Sequence, residues 1–171
     1  VDPGHINAGT YIDHSFRGKH VMKIYVKDEP LSLAFEWQDL NWYEGPDPLS
    51  VYVYNPDSAM IYAGTLIDDG DITPSSVASD MRHFELSLPD LVEGEYEVDI
   101  SCGSDIVFSD IRSNQGYLDF YEEVFVADNA LYGLTETKAC TVYTNGKRLS
   151  TKTWHPDAVQ TISVNGTEAL D

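Results

Sequence analysis

The side chains of this chain that could do chemistry are mostly carboxylates. Between positions 28 and 81 stand Asp28, Glu29, Glu36, Asp39, Glu44, Asp47, Asp57, Asp68, Asp69, Asp71 and Asp80, with no Lys or Arg among them. Calcium takes roughly six to eight oxygen ligands, and the turn Asp68-Asp69-Gly70-Asp71 can aim two carboxylates and a carbonyl at one point. A calcium site at Asp68, Asp69 and Asp71 is therefore expected, against the plainer reading of a solvated acidic turn. It is not an EF-hand, because the twelve-residue pattern with its terminal Glu is missing.

Other chemistries find less support. A nucleophilic triad places its Ser or Cys on a sharp turn such as Gly-x-Ser-x-Gly, and the nearest segment is Cys102-Gly103-Ser104-Asp105, whose residues equally make a plain β-turn. His5, His14, His20, His83 and His155 are scattered, without the i, i+4 pairing of a helical zinc site. A carboxylate pair of the glycosidase kind could be nominated almost anywhere, so the sequence singles out none. No catalytic residue is assigned, and a noncatalytic role is expected.

Binding has a better candidate. Trp37, Trp42 and Tyr43 bracket Gln38, Asp39, Leu40 and Asn41, and flat rings beside hydrogen-bonding groups can grip a sugar face while reading its hydroxyls. Trp37, Asp39, Asn41, Trp42 and Tyr43 thus form an expected polysaccharide-binding surface, with burial of the Trp rings in a core as the alternative.

Charge limits the partners. Across 171 residues, 29 acids against 10 bases give a formal net charge of −19. Displacing counterions from nucleic acid needs Lys and Arg, so no nucleic-acid partner is expected, and an anionic membrane is equally disfavoured. No apolar run approaches the roughly 20 residues of a membrane-crossing helix, so no membrane insertion is expected either.

These residues must be positioned by strands. Runs rich in Val, Ile, Tyr and Phe recur at 20–26, 31–37, 49–54, 60–66, 83–88, 95–100, 106–111 and 117–126. Leu49, Val51 and Val53 share one face of their run, as do Tyr96, Val98 and Ile100. Between the runs lie turn formers such as Asp28-Glu29-Pro30, Asn55-Pro56-Asp57-Ser58 and Glu93-Gly94. No intervening segment carries the helical period a parallel crossover needs. An all-β fold follows, an antiparallel β-sandwich of jelly-roll or immunoglobulin-like kind with a short C-terminal β extension. Residues 1–128 are assigned to the sandwich with an N-terminal arm. Residues 129–171 are assigned to a hairpin extension, turning at Thr144-Asn145-Gly146-Lys147 and resting on the sandwich or on a neighbouring subunit.

Three stretches carry a resemblance. They are the run from Leu31 through Phe35 and Trp37 to Asp39, the run from Leu49 into Asn55-Pro56-Asp57-Ser58, and Leu91-Val92-Glu93-Gly94-Glu95-Tyr96-Glu97-Val98. Over about residues 20–102 the chain resembles the secreted pre-peptidase C-terminal β-sandwich, a module appended to extracellular enzymes. Ser58 stands where that turn usually has Gly. The resemblance implies a noncatalytic accessory or surface domain, sometimes with bound calcium.

The remaining features point outside the cell and to assembly. Cys102 and Cys140 are the only cysteines and are expected to form a disulfide tying the tail to the sandwich, with two buried thiols as the alternative. Asn165-Gly166-Thr167 is a glycosylation sequon at Asn165, and a start at Val1 fits a secreted chain after signal removal. Arg17, Lys19, Lys23 and Lys27 lie in one acid-free segment, and Lys138, Lys147, Arg148 and Lys152 in another. Arg17, Lys19, Lys147 and Arg148 are therefore candidates for charge-complementary self-association, alongside strand exchange through an arm or tail. Lys on guarded edge strands is the alternative. The sequence thus favours an extracellular or cell-surface structural module that self-assembles into a filament or lattice, with a carbohydrate-binding, calcium-stabilised accessory module of a secreted enzyme as the second reading.

Overall fold

A computed structural model describes residues 9–75, 77–121, 123–127, 141–144, 150, 161–164 and 167–169. The strands are β1 (Thr10–Ile12), β2 (Ser15–Arg17), β3 (His20–Val26), β4 (Leu31–Asp39), β5 (Leu49–Tyr54), β6 (Met60–Leu66), β7 (Arg82–Leu88), β8 (Gly94–Ser101), β9 (Ile106–Ser113), β10 (Asp119–Tyr121), β11 (Val126–Ala127), β12 (Ile162–Val164) and β13 (Thr167–Ala169). One sheet runs β11-β2-β9-β4-β7, with β1 also paired to β9. The other runs β10-β3-β8-β5-β6. Their ladders are antiparallel, and from β2 to β11 the β5–β6 hairpin alone stays within a sheet while the other connections cross over. The protein is an all-β, antiparallel β-sandwich.

Period-two alternation builds the core between the sheets. Leu31, Leu33, Phe35 and Trp37 of β4 face Met22, Ile24 and Val26 of β3, Leu49, Val51 and Val53 of β5, and Tyr96, Val98 and Ile100 of β8 in one buried cluster. Each such side chain contributes roughly 1.5–3 kcal/mol by leaving water. β9 breaks the alternation. Its pairing with β4 steps from Ala34↔Arg112 to Glu36↔Ser109, so β9 holds one extra residue, and Asp110 takes a left-handed φ of 52° there. The bulge lets Phe108 and Ile111 both reach the core although three positions separate them.

Three expectations are corrected. The single strand expected over 117–126 is two short strands in opposite sheets, β10 on β3 and β11 on β2. His20 anchors the crossing: its Nδ1 donates to the Gly18 carbonyl, and its Nε2 accepts the Phe125 N–H, while Phe16, Phe108 and Phe120 surround the ring. The residues just before β3, where the sequence reading placed no strand, form β1 and β2 on the β9 edge. In the tail, Thr141 to Tyr143 lies outside any strand, whereas β12 and β13 pair as a separate two-stranded sheet. Asn165, Cys140, Lys147 and Arg148 lie outside the described residues.

The turn at Asn55 explains the unusual Ser58. Asn55 Oδ1 accepts the N–H groups of Asp57 and Ala59, and Ser58 closes the turn at φ 61°, a left-handed conformation where a Cβ is strained. Ser58→Gly should raise stability by about 0.5–1 kcal/mol, read as a higher urea midpoint with an unchanged slope. A fall in the midpoint would contradict this account.

His20 supplies a pH test. Burial lowers its pKa from 6.5, more than the Gly18 hydrogen bond and the nearby Glu123 raise it. The unfolded chain therefore binds the proton first. Its contribution to stability is complete above pH 6.5 and is lost as pH falls through the lower folded-state value. Measured against His20→Gln, wild type should lose stability relative to the variant over that acidic window. A pH-independent difference would show that His20 is not buried as the neutral ring.

A candidate cation site at the loop end of the sandwich

Three connections meet at one end of the sandwich, and each brings at least one acid. Asp39 ends β4, Asp47 lies on the way to β5, Asp68 and Asp69 follow β6, and Asp105 immediately precedes β9. Backbone hydrogen bonds draw these loops together: Leu40 N–H to Asp105 O, Gly45 N–H to Ile72 O, Ser75 N–H to Asn41 O, and Ser79 N–H to Asp39 O. Asn41 adopts a left-handed φ of 53° that turns the chain back toward Asp105.

Asp105 is the hub of this end. It is 1% exposed, and its Oδ2 accepts the N–H groups of Trp42 and Tyr43, each at 2.7 Å. Its Oδ1 accepts no hydrogen bond among the described residues, and the Arg17 guanidinium is 3.9 Å away. Asp39 is 0% exposed; its Oδ1 accepts the Asn41 N–H at 2.9 Å, while its Oδ2 is buried without a partner among the described residues. Asp39, Asp47 and Asp105 bring one carboxylate oxygen each within 4.8 Å of one another, and Asp39 does the same with Asp68 and Asp69. Gly103 makes room for this approach, since a Cβ there would lie 2.6 Å from Asp47 Oδ1.

The electrostatics follow from the crowding. Burial, followed by the negative charges of Asp47, Asp105 and Asp68, outweighs the Asn41 hydrogen bond and pushes the Asp39 pKa up to about 6. Asp47 is raised as well, first by burial and then by Asp105 and Asp68. Carboxylate oxygens gathered without nitrogen or sulfur donors among the described residues suit a hard cation such as calcium. They do not suit zinc or copper.

The expected site residues are only partly brought together. Asp68 and Asp69 join the cluster, whereas Asp71 belongs to neither close group and accepts the Thr73 N–H. Asp39 is buried within the acidic cluster and is not displayed on an exposed face. Trp37 is 2% exposed because it shares the inward face of β4 with Leu33 and Phe35, and the Arg82 guanidinium covers its ring at 3.6 Å. Asn41 is buried and donates its side-chain N–H to Val77 O. Trp42 lies under Arg17, at 4.0 Å, and Tyr43 alone of the five is well exposed. The five residues therefore do not share one flat exposed surface. Sequence reasoning did not bring Asp47 and Asp105 into the cluster; the available signal was the acid in each loop at the same end of successive antiparallel strands.

The basic segment near the N-terminus is not a free positive pole. Lys19 pairs with Asp99, Lys23 with Glu95, and Lys27 with Glu93, all acids of β8 or of the residues leading into it, while Arg17 is engaged by the Ser104 carbonyl and Trp42. Cys102 carries a free thiol whose pKa is pushed up to about 12, chiefly by burial and then by Asp47 and Asp99. Comparison with known proteins leaves the site to be read from its own geometry: no family model matches the chain, and no curated protein matches it.

Proposed function

We propose that this chain is a noncatalytic β-sandwich module of the cell exterior whose loop end is fastened by a calcium ion between Asp39, Asp47 and Asp105, with Asp68 and Asp69 alongside. The observation that carries the reading is the pair of buried, unpartnered oxygens, Asp39 Oδ2 and Asp105 Oδ1, in one acidic cluster. A buried carboxylate oxygen with no donor costs stability unless something positive compensates it. The Arg17 guanidinium is too far from Asp105 for a hydrogen bond and already contacts Ser104 and Trp42. A divalent cation would satisfy several of these oxygens together and tie the β4–β5, β6–β7 and β8–β9 connections to one point. Millimolar extracellular calcium suits a site of this modest, partly exposed kind. The accessory role implied by the resemblance to pre-peptidase C-terminal modules agrees with it.

Thermal unfolding at neutral pH and fixed ionic strength, with calcium, with magnesium and with chelator, tests the reading. A ligand present at a hundred times its Kd stabilises by about 2.7 kcal/mol, which corresponds to roughly 5–10 °C for a domain of this size. Asp105→Asn should abolish the calcium-dependent rise. Asp39→Asn should abolish it too while raising the melting temperature in chelator, because one of the crowded charges is gone. Asp71→Asn should respond to calcium as wild type does. A wild-type melting temperature indifferent to calcium and chelator alike would overturn the proposal.

A further inference from the structure

The two sheets end differently on the side where β6 and β7 are the outer strands. β7 is guarded by charge: it carries Arg82, His83 and Glu85, and His83 Nδ1 lies 2.8 Å from Glu36 Oε1 on β4. Such side chains deter another strand from adding to an edge. β6 has no such guard. From Ser58 to Ile67 there is no charged residue and no proline, Met60 and Ile61 are exposed, and β5 is the one strand paired with β6 among the described residues. Arg82 caps this edge at its far end by donating to Ile67 O and leaves the length of β6 open. A neutral, unguarded outer strand offers a row of backbone donors and acceptors to an incoming strand.

Charge indicates what that strand is. The neutral run of β6 is bounded by Asp57 on one side and by Asp68 and Asp69 on the other. The tail contains the reciprocal pattern: Ala139 to Gly146 is neutral, bounded by Lys138 before it and by Lys147 and Arg148 after it. Within this run Val142 is 61% exposed and Tyr143 95% exposed, large apolar side chains left uncovered on their own molecule. Antiparallel or parallel, a strand from this run laid along β6 sets bases against acids at both ends. Two β6 edges paired with each other would instead bring Asp57 of one copy toward Asp68 of the other, like charges that oppose the contact.

We infer that the open edge of β6 is an acceptor for the tail strand around Thr141, Val142 and Tyr143 of a second copy of this chain. Each molecule then offers one acceptor and one donor, so the contact is head-to-tail and propagates into an open polymer unless its rotation closes a ring. The inference does not depend on the cation.

Sedimentation velocity across protein concentration on the full chain tests it. Wild type should form a concentration-dependent series of oligomers. Ile61→Lys/Ala63→Lys, which places positive charge on the acceptor, and Tyr143→Asp, which spoils the donor, should each be monomeric by themselves with wild-type circular dichroism. Mixed in equal amounts, the two variants should give a dimer and nothing larger, because the mixture contains one competent acceptor and one competent donor. Failure of either variant to fold would also remove the dimer, so circular dichroism is read on each first, with Ala63→Lys alone and Val142→Asp as the replacements. The inference is overturned by a wild type that stays monomeric at all concentrations. It is overturned equally by a Tyr143→Asp variant that still polymerises, which would mean β6 pairs with something else, or by a mixture of folded variants that yields no dimer.

Discussion

Asp105 holds the loop end of the sandwich together and pays for it in charge. One of its oxygens fixes the backbone of Trp42 and Tyr43, and its carbonyl fixes Leu40, so the whole β4–β5 connection is hung from the turn before β9. Hydrogen bonds to an ionised group contribute about 1.5–3 kcal/mol each, which makes Asp105 a strong anchor. The same placement brings the Asp105 carboxylate within 4.8 Å of carboxylate oxygens on Asp39 and Asp47. Two unit charges at that separation repel by about 3 kcal/mol at an effective dielectric constant near 20. Anchor and repulsion are of similar size, so the geometry of this end is set by whatever neutralises the cluster. Burial and the neighbouring acids raise the Asp39 pKa to about 6, so protonation of Asp39 relieves part of that repulsion below it.

The rest of the charge distribution makes that demand sharper. The bases nearest in sequence are committed elsewhere by strand pairing: β3 lies antiparallel to β8, which places Lys23 opposite Glu97 and beside Glu95, and brings Lys19 to Asp99. These contacts are largely exposed and contribute little each. Their effect is nonetheless to remove cations from the reach of the loop cluster, since a side chain held at the outer face of one sheet cannot serve the end of the other. Arg17 comes nearest, and its stacking on Trp42 and its contact with Ser104 hold it 3.9 Å from Asp105 Oδ1.

Much of the fold was legible because it depends on near neighbours along the chain. The alternation in 49–54 gave β5 to the residue, and the exposed, charge-free run at 60–66 gave β6. The failures occur where a third dimension decides. The bulge at Asp110 was missed in Ile106 to Ile111 because the extra residue lies in β9 itself and is revealed by its register against β4. The run at 117–126 reads as one strand, yet it divides between sheets because His20, far back in the chain, captures the Phe125 N–H. The short β1 and β2 were missed for a related reason: three residues carry too little pattern to register, and their stability comes from β9 beside them.

The candidate site shows the same limit from the side of function. Asp68 and Asp69 could be found as members of the cluster because a turn concentrates acids locally, and Asp71 was drawn in by the same logic although its carboxylate accepts the Thr73 N–H. Asp47 and Asp105 have no acidic neighbours of that kind; Asp47 stands between prolines and Asp105 follows Ser104. They join the cluster through topology. Successive antiparallel strands return to the same end of a sandwich at every second connection, so acids in the β4–β5, β6–β7 and β8–β9 connections must all arrive there, however far apart they are in sequence. Counting acids by connection, once the strands are known, recovers the cluster that counting them by spacing misses. Trp37 fails in the complementary way: a ring beside Gln38 and Asp39 resembles a sugar platform in the sequence, but its parity with Leu33 and Phe35 on β4 commits it to the core before any ligand can reach it.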